Sequence, residues 1–272
     1  MKIGVFDSGL GGLFTMKALV SSLPEYDYVY LGDTKRLPYG SRSHAEIYEF
    51  LKQGIEYLFS QDCALVIVAC NTASAQALRR IQQEYLPQTY PDRRVLGMII
   101  PLVEECAPYA RAGLIATEAT VSSNTYVLEA QTRAPDTTIY SIAAPLLVPM
   151  IESGNDSDLP TALEKYLDYF KNKNIEALIL GCTHYAIIED AIEKLVPDVK
   201  IISQTHVIPT KTKKYLARHP EIELKLSKNS TQQFCVTDLT DHFQKMATNW
   251  FGKEITIESV VIKNTEQKLV EQ

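Results

Sequence analysis

The sequence has no surplus of positive charge: 27 Lys and Arg stand against 33 Asp and Glu, for a formal net charge of −6. With no basic run in it, that balance excludes an extended nucleic-acid surface, although a local cation can still attract an anionic metabolite. Long hydrophobic runs are missing as well, and no apolar stretch approaches the roughly 20 residues of a membrane span. The first residues, Met1-Lys2-Ile3-Gly4-Val5-Phe6, enter an apolar run at once without a signal-peptide layout, so a cytoplasmic location is expected. Cysteine is sparse and odd in number: Cys63, Cys70, Cys106, Cys182 and Cys235, with no Cys-x-x-Cys pair. A disulfide framework and a zinc knuckle are therefore not indicated, and the thiols remain free for burial or chemistry. What is present is 272 residues with 46% hydrophobic and 22% charged side chains, enough for a full core and one or two domains.

Apolar runs alternate with amphipathic stretches over almost the whole length, the pattern of an α/β protein. Strands are expected at 2–6, 26–31, 64–69, 95–100, 113–116, 138–142, 177–180, 199–202, 233–236 and 255–261. Helical spacing marks 43–60, 74–85, 158–173 and 239–251. Two nearly equivalent lobes of this α/β kind are expected. Residues 1–98 together with 211–272 would form the first lobe and 99–210 the second.

Two short blocks carry the strongest chemical signal. Ala69-Cys70-Asn71-Thr72-Ala73-Ser74 ends the apolar run Ala64-Leu65-Val66-Ile67-Val68, and Gly181-Cys182-Thr183-His184-Tyr185 ends Ala177-Leu178-Ile179-Leu180. Such runs read as buried parallel strands, and ligands in open α/β sheets bind at the carboxyl ends of strands. One thiol followed by polar donors thus occurs twice, each time where chemistry is usually done. A free cysteine is commonly a small buried hydrophobe, which is the reading for Cys63, Cys106 and Cys235. A thiol beside a helix N-terminus instead has its thiolate stabilised. His184, two residues past Cys182, and Asp7 near Cys70 could each adjust a thiol. A metal held by Cys70, Cys182 and His184 is disfavoured, because Cys-x-His lacks the usual zinc spacing and a fourth ligand is missing.

The block Phe6-Asp7-Ser8-Gly9-Leu10-Gly11-Gly12 places a carboxylate, a hydroxyl and a glycine-rich turn after the first strand. Its glycines do not follow G-x-G-x-x-G, so a nucleotide loop yields to a catalytic or substrate-orienting Asp7. Gly32-Asp33-Thr34 and Leu37-Pro38-Tyr39-Gly40 follow the second strand, where Tyr39 and Gly40 could meet a ligand or simply form a turn. Glu152, after Pro149-Met150-Ile151, reads by itself as a solvated helix residue, and His44, His206, His219 and His242 read as surface positions.

Taken together and in this order, these blocks resemble the glutamate racemase family, and Val236-Thr237-Asp238 before the last helix is similar too. The resemblance runs from residue 3 to about residue 260. It implies a cofactor-independent racemase, with no metal, built as an α/β protein of two pseudo-symmetric lobes, each a mainly parallel sheet flanked by helices, with the active site in the cleft between them. By the same resemblance Cys70 and Cys182 are the acid/base thiols. Asp7, Glu152 and His184 match positions that assist them. Asp7, Ser8, Tyr39, Gly40, Asn71, Thr72, Thr183 and His184 match positions that hold the amino acid. The implied substrate is glutamate, the implied use of D-glutamate is peptidoglycan, and a homodimer is an expectation of the same kind. Ala144, Ala116, Ala186 and Ser203-Gln204-Thr205 depart from the commonest pattern without removing a proposed catalytic group. Two other readings stand beside it: a related racemase acting on aspartate or another amino acid, and a binding homologue that has lost catalysis.

Overall fold

The structure, a computed structural model, describes residues 1–154 and 157–262. Its ten strands are β1 (Lys2–Asp7), β2 (Tyr28–Gly32), β3 (Cys63–Val68), β4 (Arg94–Gly97), β5 (Arg111–Ala116), β6 (Thr138–Ala143), β7 (Ala177–Gly181), β8 (Lys200–Ile202), β9 (Gln232–Val236) and β10 (Ile257–Ser259). They form two all-parallel sheets, one in the order β10-β9-β2-β1-β3-β4 and one in the order β6-β5-β7-β8. The chain leaves the first sheet after β4 and comes back to it at β9. Helices cover the sheets, so the central strands carry apolar side chains on both faces, and β3 and β7 are buried along their whole length.

The largest apolar cluster does not stop at the lobe boundary. Val5 and Ile67 of the first sheet, Leu114 and Ile179 of the second, and Met16, Leu19, Ile208 and Leu216 from two helices belong to it. Those helices, Gly12–Ser22 and Gln204–Arg218, pack against each other. The boundary expected at 210 falls inside the second of them. Sharing one core fixes the carboxyl ends of β1 and β3 opposite those of β5 and β7.

Several elements differ from the sequence expectation for identifiable reasons. The run 95–100 is not one strand: β4 ends at Gly97 and a helix, Ile99–Glu104, begins. Pro101 lies in the first turn of that helix, where its missing N–H costs nothing, so a β-like composition hides a helix start. The helix expected at 74–85 starts earlier, at Asn71, and contains two π-type stretches, Ser74–Leu78 and Ile81–Tyr85. The stretch 158–173 is an α-helix, Leu159–Leu167, continued by the 3₁₀ turns Asp168–Lys173. Of 255–261 only Ile257–Ser259 pairs. The helix Gln204–Arg218 has no counterpart in the sequence reading, because it is polar along much of its length and carries Pro209 inside. The helix His44–Ser60 agrees closely, its start set by a capping box between Ser43 and Glu46.

Candidate active site

Cys70 follows β3 by one turn of chain and Cys182 follows β7 directly, so each sheet delivers one thiol at the carboxyl end of an inner strand. Both line a cavity of about 320 Å³ whose walls also include Ser8, Tyr39, Gly40, Asn71, Thr72, Glu152, Thr183 and His184. Of the residues singled out from the sequence, Asp7 alone is missing from that wall. Its side chain is fully buried behind it, with Oδ2 accepting from the N–H groups of Gly9 (3.1 Å) and Gly12 (3.0 Å). A Cβ on Gly12 would lie 2.5 Å from that of Asp7, so this close seat requires glycine. Asp7 therefore lies behind the wall and does not reach the cavity itself.

The groups in contact with the Cys70 sulfur are uncharged, and the Asp7 carboxyl lies behind them. The thiol donates to Ser8 Oγ at 3.3 Å, and Ala73 N–H donates to its sulfur at 3.4 Å. Burial, reinforced by the nearby charge of Asp7, pushes the Cys70 thiol up to about 12 despite those two bonds. The thiolate-favouring effect expected of the helix start is thus outweighed by desolvation. Burial pushes the Asp7 carboxyl up too, against the opposing pull of His184 and of the N–H groups of Gly12, Gly9 and Ser8.

The surroundings of Cys182 carry charge. The 3₁₀ turn Thr183–Ala186 folds His184 back so that Nδ1 lies 3.8 Å from the Cys182 sulfur. The other ring nitrogen, Nε2, pairs with Glu152 Oε1 at 2.9 Å, and Trp250 meets the ring edge-on at 5.7 Å. Burial lowers the His184 pKa, but Cys182 and Glu152 on its two nitrogens outweigh burial and raise it to about 10. Glu152 is therefore no free solvated side chain, as it reads in isolation, but the outer end of a carboxylate–imidazole–thiol chain. A Cβ on Gly11 would come within 2.7 Å of His184 Nδ1, so this glycine lets the backbone lie against the ring.

The remaining wall joins apolar side chains, among them Leu37, Val148 and Pro149, to polar groups that are already organised. Tyr39 donates its hydroxyl to the fully buried Asp33, which also accepts from Arg36 Nε (2.6 Å) and Thr237 Oγ1 (2.9 Å). The Tyr39 hydroxyl is thus committed inside the protein, and the ring forms wall. Asn71 offers Nδ2 to Gln204 and receives the Tyr126 hydroxyl at Oδ1. Thr72 Oγ1 lies 2.9 Å from Thr117 Oγ1 and 3.3 Å from Thr120 Oγ1. Thr117 and Glu118, at the end of β5, line the cavity and were not singled out from the sequence. The polar Thr117-Glu118 pair directly after the apolar strand Arg111–Ala116 is the signal that could have found them. Cys63, Cys106 and Cys235 are buried away from this wall. His44, His206 and His242 are exposed, and His219 partly so. Among the described residues, no group of three or more His, Cys, Asp or Glu is placed to hold a metal ion, and no helix is long and apolar enough to cross a membrane.

Known proteins share this arrangement. The family model for Asp/Glu/Hydantoin racemase matches residues 13–210. Glutamate racemase of Paracoccus denitrificans is 34% identical over 275 residues, covering 95% of this chain and all of that protein. The Ruegeria protein of the same name is 36% identical over 276 residues, again covering 95% of this chain and all of its own. Among solved structures, glutamate racemase from Francisella tularensis in complex with D-glutamate superposes with a TM-score of 0.86 at 36% identity, covering 96% of this chain and 97% of that one. The chain belongs to the Asp/Glu/Hydantoin racemase family and is an isomerase of the amino-acid racemase class.

Proposed function

We propose that the protein interconverts L- and D-glutamate by a two-thiol, two-base mechanism that needs no cofactor, in the cytoplasm, and that D-glutamate is destined for peptidoglycan. The observation that carries this reading is the pair Cys70 and Cys182, brought from two different sheets to one small cavity. Full-length relatives named glutamate racemase, one solved with D-glutamate, support the choice of substrate.

The chemistry follows from the stereochemical demand. A single base tends to return a proton to the face it came from, whereas two opposed groups invert the centre. With Cys182 as thiolate beside the His184 cation, its sulfur takes the α-hydrogen of one enantiomer as a proton and becomes a thiol. The electron pair left at Cα spreads into the α-carboxylate. Cys70, held as a thiol by burial, gives its proton to the opposite face and ends as thiolate. Proton number is conserved, and the opposite enantiomer runs the same steps in reverse.

General acid–base catalysis typically supplies about 10²–10⁴-fold per group. For two thiols that is about 5–11 kcal/mol, which reaches only the lower end of the roughly 8–23 kcal/mol that enzymes deliver. The difference falls to positioning, water exclusion and donors to the carboxylate as charge develops there. Asn71, Thr72 and Thr183 on the cavity wall are the side chains for that task. In heavy water, both enantiomers of glutamate should lose their α-proton to solvent while optical rotation decays. Glutamate that keeps its α-proton while aspartate exchanges would move the assignment to the sister substrate, and tight glutamate binding with no exchange would make the chain a silent homologue.

A further inference from the structure

Asn71 is the first residue after Cys70, yet its side chain is held from the other lobe. Its Nδ2 donates to Gln204 Oε1 at 3.0 Å, and Tyr126 donates its hydroxyl to Asn71 Oδ1 at 2.7 Å. Gln204 opens the helix after β8 and Tyr126 lies on the helix Thr125–Arg133, so both belong to the four-stranded sheet's side of the cleft. All three side chains are at least 98% buried. We propose that Gln204 and Tyr126 are positioning residues that fix the amide of Asn71, turning the second hydrogen of its Nδ2 toward a carboxylate in the cavity.

The physical argument is one of orientation. A carboxamide can rotate to exchange its oxygen and nitrogen, and in the wrong orientation Asn71 would present a carbonyl oxygen to an anionic substrate. A hydroxyl that donates to Oδ1 and an acceptor that takes one N–H favour this orientation, because reversing the Asn71 amide alone would set its oxygen against Gln204 Oε1 and force the Tyr126 hydroxyl to turn from donor to acceptor. Because these partners come from the opposite lobe, the donor is aligned only when the two lobes are docked as they are here. Gln204 reaches this place at a cost, since its own Nε2 is buried without a hydrogen-bond partner among the described residues. A glutamine tolerated with half its amide unpaired is explained by the use of its other half.

The assignment of a carboxylate substrate rests on the function proposed above, and the test separates the two. Tyr126→Phe and Gln204→Leu should each raise KM for glutamate about tenfold, the scale of one misaligned hydrogen bond, with a smaller change in kcat. In an Asn71→Ala background neither should add a further loss. In ligand-free, ¹⁵N-labelled protein, the Asn71 side-chain amide pair, identified by its disappearance in Asn71→Ala, should shift in both variants and exchange faster with solvent. An Asn71 resonance indifferent to both substitutions overturns the proposal, as do losses that persist in full in Asn71→Ala. Should the parent protein turn over no glutamate, the substrate reading falls, while the resonance still decides whether Asn71 is held in this way.

Discussion

The neighbourhoods of the two thiols have the same topological address and opposite electrical character. Each cysteine stands at the carboxyl end of an inner parallel strand facing one cleft. Cys70 is met by a hydroxyl and a backbone N–H that favour its thiolate, but burial and the carboxyl close behind outweigh them and favour the neutral thiol. Cys182 is met by an imidazole raised to about 10 that is itself backed by Glu152. The cause is local. After Cys70 the chain enters a long helix that carries its side chains away from the sulfur, whereas after Cys182 a single 3₁₀ turn brings the residue two positions on back against it. The cavity thus has two thiol-bearing sides (half-sites) of unequal polarity, and the difference follows from what comes after each strand.

The most severe way to break the comparison is to remove one thiol at a time. Cys70→Ala and Cys182→Ala should each lower racemisation by about 10²–10⁴-fold, the usual weight of one general acid–base group. The two variants should nevertheless differ in kind. A remaining sulfur can still remove and return a proton on its own face, so each variant should exchange the α-proton of one enantiomer without inverting it. The favoured enantiomer should be opposite in the two, as followed by proton NMR in heavy water. Exchange of the same enantiomer by both variants would mean that the thiols do not flank the substrate.

A gentler intervention leaves both sulfurs and removes the cation. His184→Gln keeps polar atoms beside Cys182 but no charge, and should lower kcat for the direction that starts from Cys182 as base by roughly tenfold, the equivalent of about one pKa unit, while kcat/KM, tied to an equilibrium constant of one, changes equally in both directions. The direction that starts from Cys70 should suffer less, because its sulfur has no contact with that ring. Glu152→Gln should act in the same sense and more weakly. Glu152 is part-exposed and reaches Cys182 only through His184. An equal fall of kcat in both directions would make His184 a general structural support, and the asymmetry between half-sites would then lie elsewhere.

Much of this was legible in the sequence because the chemistry sits where periodicity is plainest. The all-apolar runs before Cys70 and Cys182 can only be interior strands, and strand ends locate the site. What was not legible depends on contacts between distant residues. Nothing in the local sequence shows that Asp7 is sealed by the backbone of Gly9 and Gly12, or that the Tyr39 hydroxyl is spent on Asp33. Glu152 was indistinguishable from a solvated glutamate until His184 came beside it from 32 residues away. The pKa of Cys70 illustrates the same limit in energy terms. The helix start that argued for a thiolate is there, but burial, a property of the whole fold, decides the outcome.

The smallest effect tests the polarity of the Cys182 half-site without any substrate. His184 is raised from 6.5 to about 10 in the folded protein, so the native state holds this proton more tightly than the unfolded chain does. Its contribution to stability is therefore fully present below pH 6.5, declines as pH rises through the window from 6.5 to about 10, and is gone above it. Neutral replacement removes that slope. Thermal melts of the parent and of His184→Gln should draw together by a few degrees as pH is raised from 6.5 toward 10, beyond any pH trend the two share. Curves that stay parallel across the window would mean that His184 carries no extra proton in the native state, and the distinction between a charged and a neutral half-site would be lost at its source.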